Sequence, residues 1–190
     1  TLEKSSQSDG GNQFSFRDNY DLFDKFDIIM RICSSDYLNS GHFVWNKNNQ
    51  KATFYYSVPE DEMDVQIKHL NQTLAYTVNH ESEKNNLLNV LIETTGKLNG
   101  GDNKAPIFAD NFKDKSWLVI PEGATNFLPF DLLVFQYESD STSYHYLGEA
   151  VTITYAPSLS AYVEFANRKQ SGKTKNSAIL ASANPETESS

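Results

Sequence analysis

A single cysteine stands among 190 residues. Cys33 therefore has no partner for a disulfide within the chain, and with no signal-like apolar stretch this points to a cytoplasmic protein. Long hydrophobic runs are missing too. Nothing approaches the roughly twenty consecutive apolar residues of a membrane-spanning helix, so no membrane is expected as a partner. Positive charge is scarce: 16 Lys and Arg face 25 Asp and Glu, for a formal net charge of −9 and a pI near 4.8. Phosphate backbones are held by clustered cations, so no nucleic acid is expected either. The exception is the basic run 168–177, whose Gly and Ser content reads as a solvated linker. Self-similarity at the 20 to 50 residue periods of repeat arrays is absent. What is abundant is aromatic surface. Twelve Phe and ten Tyr, within a hydrophobic fraction of 38%, give a chain of this length enough apolar area for one folded domain.

Residues 1–19 are rich in Ser, Gly, Gln and Asn and read as a flexible leader anchored by little beyond Phe14 and Phe16. Leu22, Phe23 and Phe26 have helical spacing within 18–26. Ile28, Met30 and Ile32 alternate with Ile29, Arg31 and Cys33, which favours a strand. Phe43-Val44-Trp45 and Thr53-Phe54-Tyr55-Tyr56 flank an Asn-rich reversal, extending that strand into an antiparallel meander. Pro59 followed by Glu60, Asp61 and Glu62 opens a helix, because proline suits the first turn and acids suit the positive end of the helix dipole. Met63, Ile67, Leu70, Leu74 and Val78 form its apolar stripe. A second helix is expected from Leu87 to Leu98, ended by Asn99-Gly100-Gly101.

Few of the chemistry-bearing residues form a recognisable constellation. A cysteine nucleophile needs a base in reach and partial exposure, whereas Cys33 lies in a leading strand and reads as structural. His42, His69, His80 and His145 lack metal-ligand spacing with one another or with cysteine. His69 is expected on the wet side of its helix, with His80 and His145 in polar loops. The run Glu60, Asp61, Glu62 and Asp64 lacks the glycine turn of a calcium loop and reads as a helix start. Gly10-Gly11 and Gly100-Gly101 are too isolated to cradle phosphate. Ser171-Gly172-Lys173-Thr174 resembles the end of a phosphate-binding loop, but the earlier glycine and preceding strand are missing. Tyr137, Tyr144 and Tyr146, with Asp140, surround a polar insert. They read as a solvent-exposed hairpin, with a recognition surface as the alternative.

The most informative stretch runs from Trp117 to Leu159. Trp117 to Ile120 is a short apolar run closed by Pro121 and Gly123, the pattern of a strand buried on both faces. Phe127 to Phe135, broken by Pro129 and Asp131, predicts a proline-initiated helical turn that packs Leu128, Phe130, Leu133 and Val134 inward. Val151, Ile153 and Tyr155 alternate with threonines in a strand ending at Pro157, and Ser158 is placed to cap a helix from Leu159 that turns Tyr162, Val163, Phe165 and Ala166 inward.

Four blocks in this stretch, Leu-Val-Ile-Pro-Glu-Gly (118–123), Leu-Pro-Phe-Asp-Leu-Leu (128–133), Tyr-Leu-Gly-Glu (146–149) and Ile-Thr-Tyr-Ala-Pro-Ser-Leu-Ser (153–160), occur in the order found in the CHAT family. This chain resembles the N-terminal portion of those caspase-like cysteine peptidases, which are often joined to TPR repeats. The resemblance spans roughly Asp27 to Pro185, with Glu122 where the family usually has aspartate. It implies an α/β fold with a mixed sheet, a leading antiparallel meander and flanking helices. It also implies that the parent protein is a cysteine endopeptidase using a His and Cys dyad without metal or cofactor. The dyad lies downstream of the segment that Ser177 to Glu186 resembles, so no catalytic, cofactor-binding or metal-binding residue is assigned here. The implied organisation is a leader (1–19), a noncatalytic part (20–167), a basic linker (168–177) and the start of a catalytic half (178–190), with Ala178 to Ala181 as its first strand. A chain that starts at Thr1 and stops after an Asn-Pro-Glu turn suggests a piece of a longer polypeptide. Protein substrates or a regulatory protein, and adjacent TPR-type repeats, are the implied partners. The alternative is a noncatalytic scaffold or regulatory domain of the same fold.

Overall fold

A computed structural model describes residues 17–33, 40–78, 80–101 and 106–170. The expectations for the first sixteen residues, for the phosphate-loop-like run at 171–174 and for the strand at 178–181 lie outside the described residues.

The leading helix is shorter than its spacing predicts, a 3-10 turn at Arg17–Asn19 and a single turn α1 (Tyr20–Phe23). Strands β1 (Ile28–Cys33), β2 (Gly41–Asn46) and β3 (Lys51–Tyr56) form the expected meander, Ile28 opposite Asn46 and Asn46 opposite Lys51. Asparagine side chains build the reversal: Asn46 Oδ1 accepts from the Asn48 N–H at 2.9 Å and Asn49 Oδ1 from the Lys51 N–H at 3.0 Å. At the other end of the hairpin the backbones approach closely. A Cβ on Gly41 would fall 2.2 Å from the Tyr55 carbonyl oxygen and 2.5 Å from Phe54 Cζ. Gly41→Ala is expected to force β2 and β3 apart at a cost of about 2–3 kcal/mol. In a chain of this size that lowers Tm by roughly 5–10 °C, measurable by circular dichroism. An unchanged Tm would show that the hairpin yields freely.

Helices α2 (Glu60–Thr77) and α3 (Lys84–Leu98) follow and pack on one another. Met63, Ile67 and Leu70 are buried as expected, but Val78 lies past the last turn and is 84% exposed, so the stripe ends at Leu74. α3 starts one turn before its apolar residues because a 3-10 turn at Glu81–Glu83 leads into it. It ends at Gly100 and Gly101, whose φ of 98° and 93° only glycine adopts without strain. A polar relay joins the pair: Lys97 Nζ donates to Gln66 Oε1, and Gln66 Nε2 to Thr94 Oγ1.

The second half departs from expectation first in its central segment. Between β4 (Ile107–Phe108) with β5 (Lys115–Ile120) and the final strand, the sequence predicts a helical turn through Phe135. The chain instead makes 3-10 turns at Gly123–Phe127 and Phe130–Leu132 and then extends as β6 (Val134–Tyr137). Two prolines and a β-branched valine leave too few residues for a continuous helix. The polar insert turns back into β7 (His145–Tyr146), as a hairpin would. Then come α4 (Leu147–Ala150), β8 (Val151–Tyr155) and α5 (Leu159–Gln170). Ser158 caps α5 as expected, its Oγ accepting from the Ala161 N–H at 3.0 Å.

Among the described residues the result is a mixed α/β fold with two sheets rather than one. The larger has the order β3-β2-β1-β5-β8, antiparallel through the meander and parallel from β1 to β8; the smaller has the order β4-β6-β7. One face of the large sheet presents Ile28, Met30, Ile32, Trp117, Val119 and Val151 to α2, α3 and the small sheet. The other presents Ile29, Leu118 and Ile120 to α1 and α5 through Phe23, Phe26 and Tyr162. Trp117 to Ile120 are all buried, as a strand covered on both faces requires. Phe165 is 53% exposed, against expectation, because α5 meets the sheet through Leu159, Tyr162, Val163 and Ala166. Ile120 and Ile153 sit on adjacent paired strands but serve opposite cores. The register sets Trp117 opposite Ile153, and three residues along a pleated strand reverse the face.

Candidate functional site

In sheets with parallel strands, ligands and reacting groups gather beyond the carboxyl ends of those strands. Here β1, β5 and β8 end together at Cys33, Ile120 and Tyr155. Beyond β5 the Pro-Glu-Gly turn is held by Thr125, which is 5% exposed. Its hydroxyl donates to the Glu122 carbonyl at 2.7 Å and accepts the Glu122 N–H at 3.0 Å, while Gly123 takes φ 58°.

Beyond β8 the polypeptide converges on Asp131. Tyr155 Oη donates to Asp131 Oδ2 at 2.8 Å, and the Tyr155 ring lies 6.1 Å from that of Phe130. Burial, aided by the Asp131 carboxylate, pushes the Tyr155 phenol well above its ordinary value, so it is a hydrogen-bond donor at neutral pH. α4 approaches from the other side. A Cβ on Gly148 would meet Asp131 Cβ at 3.1 Å and its carbonyl oxygen at 3.2 Å, and the Leu147 N–H donates to the Leu133 carbonyl at 2.8 Å. The Ala156 N–H returns to the Val119 carbonyl at 3.1 Å, joining β8's end to β5. Residues 119, 131, 148 and 155, far apart in sequence, thus meet through a tyrosine, a carboxylate and a glycine.

Cys33 does not have the surroundings of a nucleophile. Its thiol is pushed up chiefly by burial, and the Glu122 carboxylate adds to the rise against the lowering by Arg31. The space beside it is about 10 Å³, room for at most one water. The nearest histidine in the sheet, His42, is set opposite Ile32, so pleating sends its ring and the thiol to opposite faces. At pH 7 a maleimide or a cysteine-directed peptide probe is expected to label Cys33 more slowly than an unfolded cysteine peptide, read by intact mass. Rapid, stoichiometric labelling would overturn that assignment.

No family model, curated protein or solved structure matches this chain. Among the described residues no three of His, Cys, Asp and Glu come close enough to hold a metal ion. Asp64 of the acidic run pairs with Lys68 at 2.6 Å, and the run itself forms the first turn of α2. His69 is exposed, as expected; His80 stacks on Tyr76 with centroids 4.1 Å apart. His145 corrects the expectation of a polar loop: it lies in β7 against Phe135 and Tyr137, its Nε2 buried without a partner among the described residues. Asp140 organises the insert, accepting from Thr142 N and Oγ1 at 3.1 and 2.8 Å, and hydrogen bonds from Thr142 and Ser143 hold its carboxyl below the usual range. Tyr144 and Tyr146 are 44% and 38% exposed.

His42 is the residue whose role the sequence analysis missed. It is 2% exposed, stacked on Tyr55 at 5.4 Å, and burial lowers its pKa to about 4. The signal was its place two residues before Val44 on a strand, which puts both on one face. No helix of the described residues is long and apolar enough to cross a membrane. The outer edge of β8 has no pairing strand among the described residues, and Thr152 and Tyr155 on it are exposed.

Proposed function

We propose that this chain is the supporting, noncatalytic part of a CHAT-type, caspase-like cysteine endopeptidase whose His and Cys dyad is carried by polypeptide outside it. The observation that carries this reading is the convergence on Asp131. Four blocks that resemble that family meet in space: the strand of 118–120 lies beside that of 153–155, and Asp131, Gly148 and Tyr155 are in contact. The β8 edge, unpaired among the described residues, adds support, because a parallel sheet continues by adding strands at such an edge. In the assembled site the histidine would take the thiol proton, the thiolate would attack the scissile carbonyl, and backbone N–H groups would hold the oxyanion.

The experiment is to extend the polypeptide past Ser190 with its natural continuation and treat it with an electrophilic peptide probe for cysteine peptidases. Labelling at one downstream cysteine, abolished by substituting a downstream histidine, is the expected result. An extension without such a pair, or one that binds partner proteins but neither labels nor cleaves, would instead assign a scaffold of the same fold. The chain alone is also expected to be less soluble than its extended form. Equal solubility of the chain and its extended form would contradict the unpaired edge.

A further inference from the structure

One face of the large sheet is covered unevenly. On the side of α1 and α5, Phe23, Phe26 and Tyr162 bury Ile29, Leu118 and Ile120. The same face continues outward across the hairpin. Arg31 stands opposite Phe43 and Phe43 opposite Phe54, and Tyr56 lies two residues further along β3, so pleating puts Phe43, Phe54 and Tyr56 on this side together with Trp45. The three rings form a connected cluster, Phe43 to Phe54 at 4.8 Å and Phe54 to Tyr56 at 5.1 Å between centroids. Yet Phe43 is 46% exposed and Tyr56 62%, and neither belongs to the core that α1 and α5 close.

The path of the chain into α1 says what covers this cluster. Phe23 packs on Tyr162 over the middle of the sheet, with centroids 5.3 Å apart, whereas Tyr20, three residues earlier, meets Trp45 of β2 edge-on at 6.1 Å. Followed toward its N-terminus, the polypeptide thus moves from the centre of the sheet toward the hairpin, and Arg17–Asn19 lead into it as a 3-10 turn. Phe14-Ser15-Phe16 come next in that direction, immediately before the described residues. On an extended segment two such rings share one face about 7 Å apart, the spacing of alternate strand residues such as Phe54 and Tyr56. We propose that the segment Phe14 to Phe16 packs across the open hairpin face, its two phenylalanines on Phe43, Phe54 and Tyr56. Size favours this occupant over a second copy of the chain. At their exposures the three rings offer roughly 300 Å², against about 800 Å² per partner in a stable dimer, whereas a single phenylalanine buries about 150–250 Å². A tethered segment also needs less contact than a free partner, because its docking costs no overall translational freedom. This inference rests on the hairpin face and is independent of the peptidase reading.

The test is hydroxyl-radical footprinting of the full chain, in which side chains open to water are oxidised and read by peptide mass. Replacing both leader rings, Phe14→Ser with Phe16→Ser, is expected to raise the oxidation rates of Phe43 and Tyr56 at least twofold at any protein concentration. Tyr144, 44% exposed on the polar insert, is the control whose rate stays unchanged. A double-mutant cycle in urea supplies the second measurement. Phe14→Ala with Phe16→Ala, combined with Phe43→Ala, is expected to change the unfolding constant about threefold less than the product of the separate effects, since rings in contact are coupled and distant ones are not. Phe43 belongs to neither core, so its variant is expected to fold. The proposal is overturned if Phe43 and Tyr56 oxidise at the same rate with and without the leader rings, or if the effects multiply without coupling. Protection that rises with protein concentration would also overturn it, assigning the face to a second copy.

Discussion

Phe130→Ala is expected to destabilise the fold by about 3–5 kcal/mol, the range for removing a fully buried aromatic ring from a core. Phe130 is 1% exposed and belongs to the larger core. It is presented there by a 3-10 turn that starts after Pro129, and its ring lies against Tyr155. Its loss removes the ring contact with Tyr155 of β8 as well as apolar burial. Domains of this kind are stable by only about 5–15 kcal/mol, so the variant stands near the limit of folding, with Tm lowered by roughly 6–20 °C. Phe127→Ala is the internal control. Phe127, three residues earlier in the same apolar run, is 73% exposed, and its truncation is expected to change stability by no more than about 0.5 kcal/mol. Urea unfolding of both variants checks the pair. Equal losses would mean that the proline-punctuated segment does not insert Phe130 as described.

Acid is expected to weaken the fold through His42 by about 3 kcal/mol between pH 7 and pH 4. The folded-state pKa, about 4, lies below the unfolded value near 6.5, so the unfolded chain binds the proton first. Above about pH 7 the ring is neutral in both states and contributes nothing to pH dependence. As pH falls through 6.5 the unfolded state gains a proton that the folded state refuses, and stability drops until the folded ring is protonated near pH 4. Below that the full cost stays in place. Burial alone causes the shift, with no carboxylate offsetting it. Carboxylates titrate in the lower part of the same range, so the quantity to measure is the difference in slope between the original chain and His42→Leu. That difference is expected to total about 3 kcal/mol across the interval, whatever the variant's absolute stability. Parallel profiles would place His42 in contact with water.

Sequence reading was most accurate where one physical signal dominates. The buried run of Trp117 to Ile120, the alternation of Val151 to Tyr155, the stripe from Met63 to Leu74 and the Ser158 cap each depend on residues adjacent in the chain. Propensity, periodicity and capping are local, and these elements followed from them.

Long-range pairing decided the rest. Whether Val134 continues a helical turn or becomes a strand depends on β4 and β7 being beside it, two partners that contribute two residues each and leave almost no pattern in the sequence. His42 reads as a polar residue in a hairpin until α3 and the small sheet enclose the face it shares with Val44, and only then does its ring lose water and its affinity for a proton. The meeting of Asp131, Gly148 and Tyr155 exists only in three dimensions. Composition and spacing alone determined an acidic chain of mixed α/β class and most of the described helices and strands, because those follow from neighbours along the chain. Tertiary structure decided which faces are covered and which polar groups lose their solvent, because burial is set by segments tens of residues away.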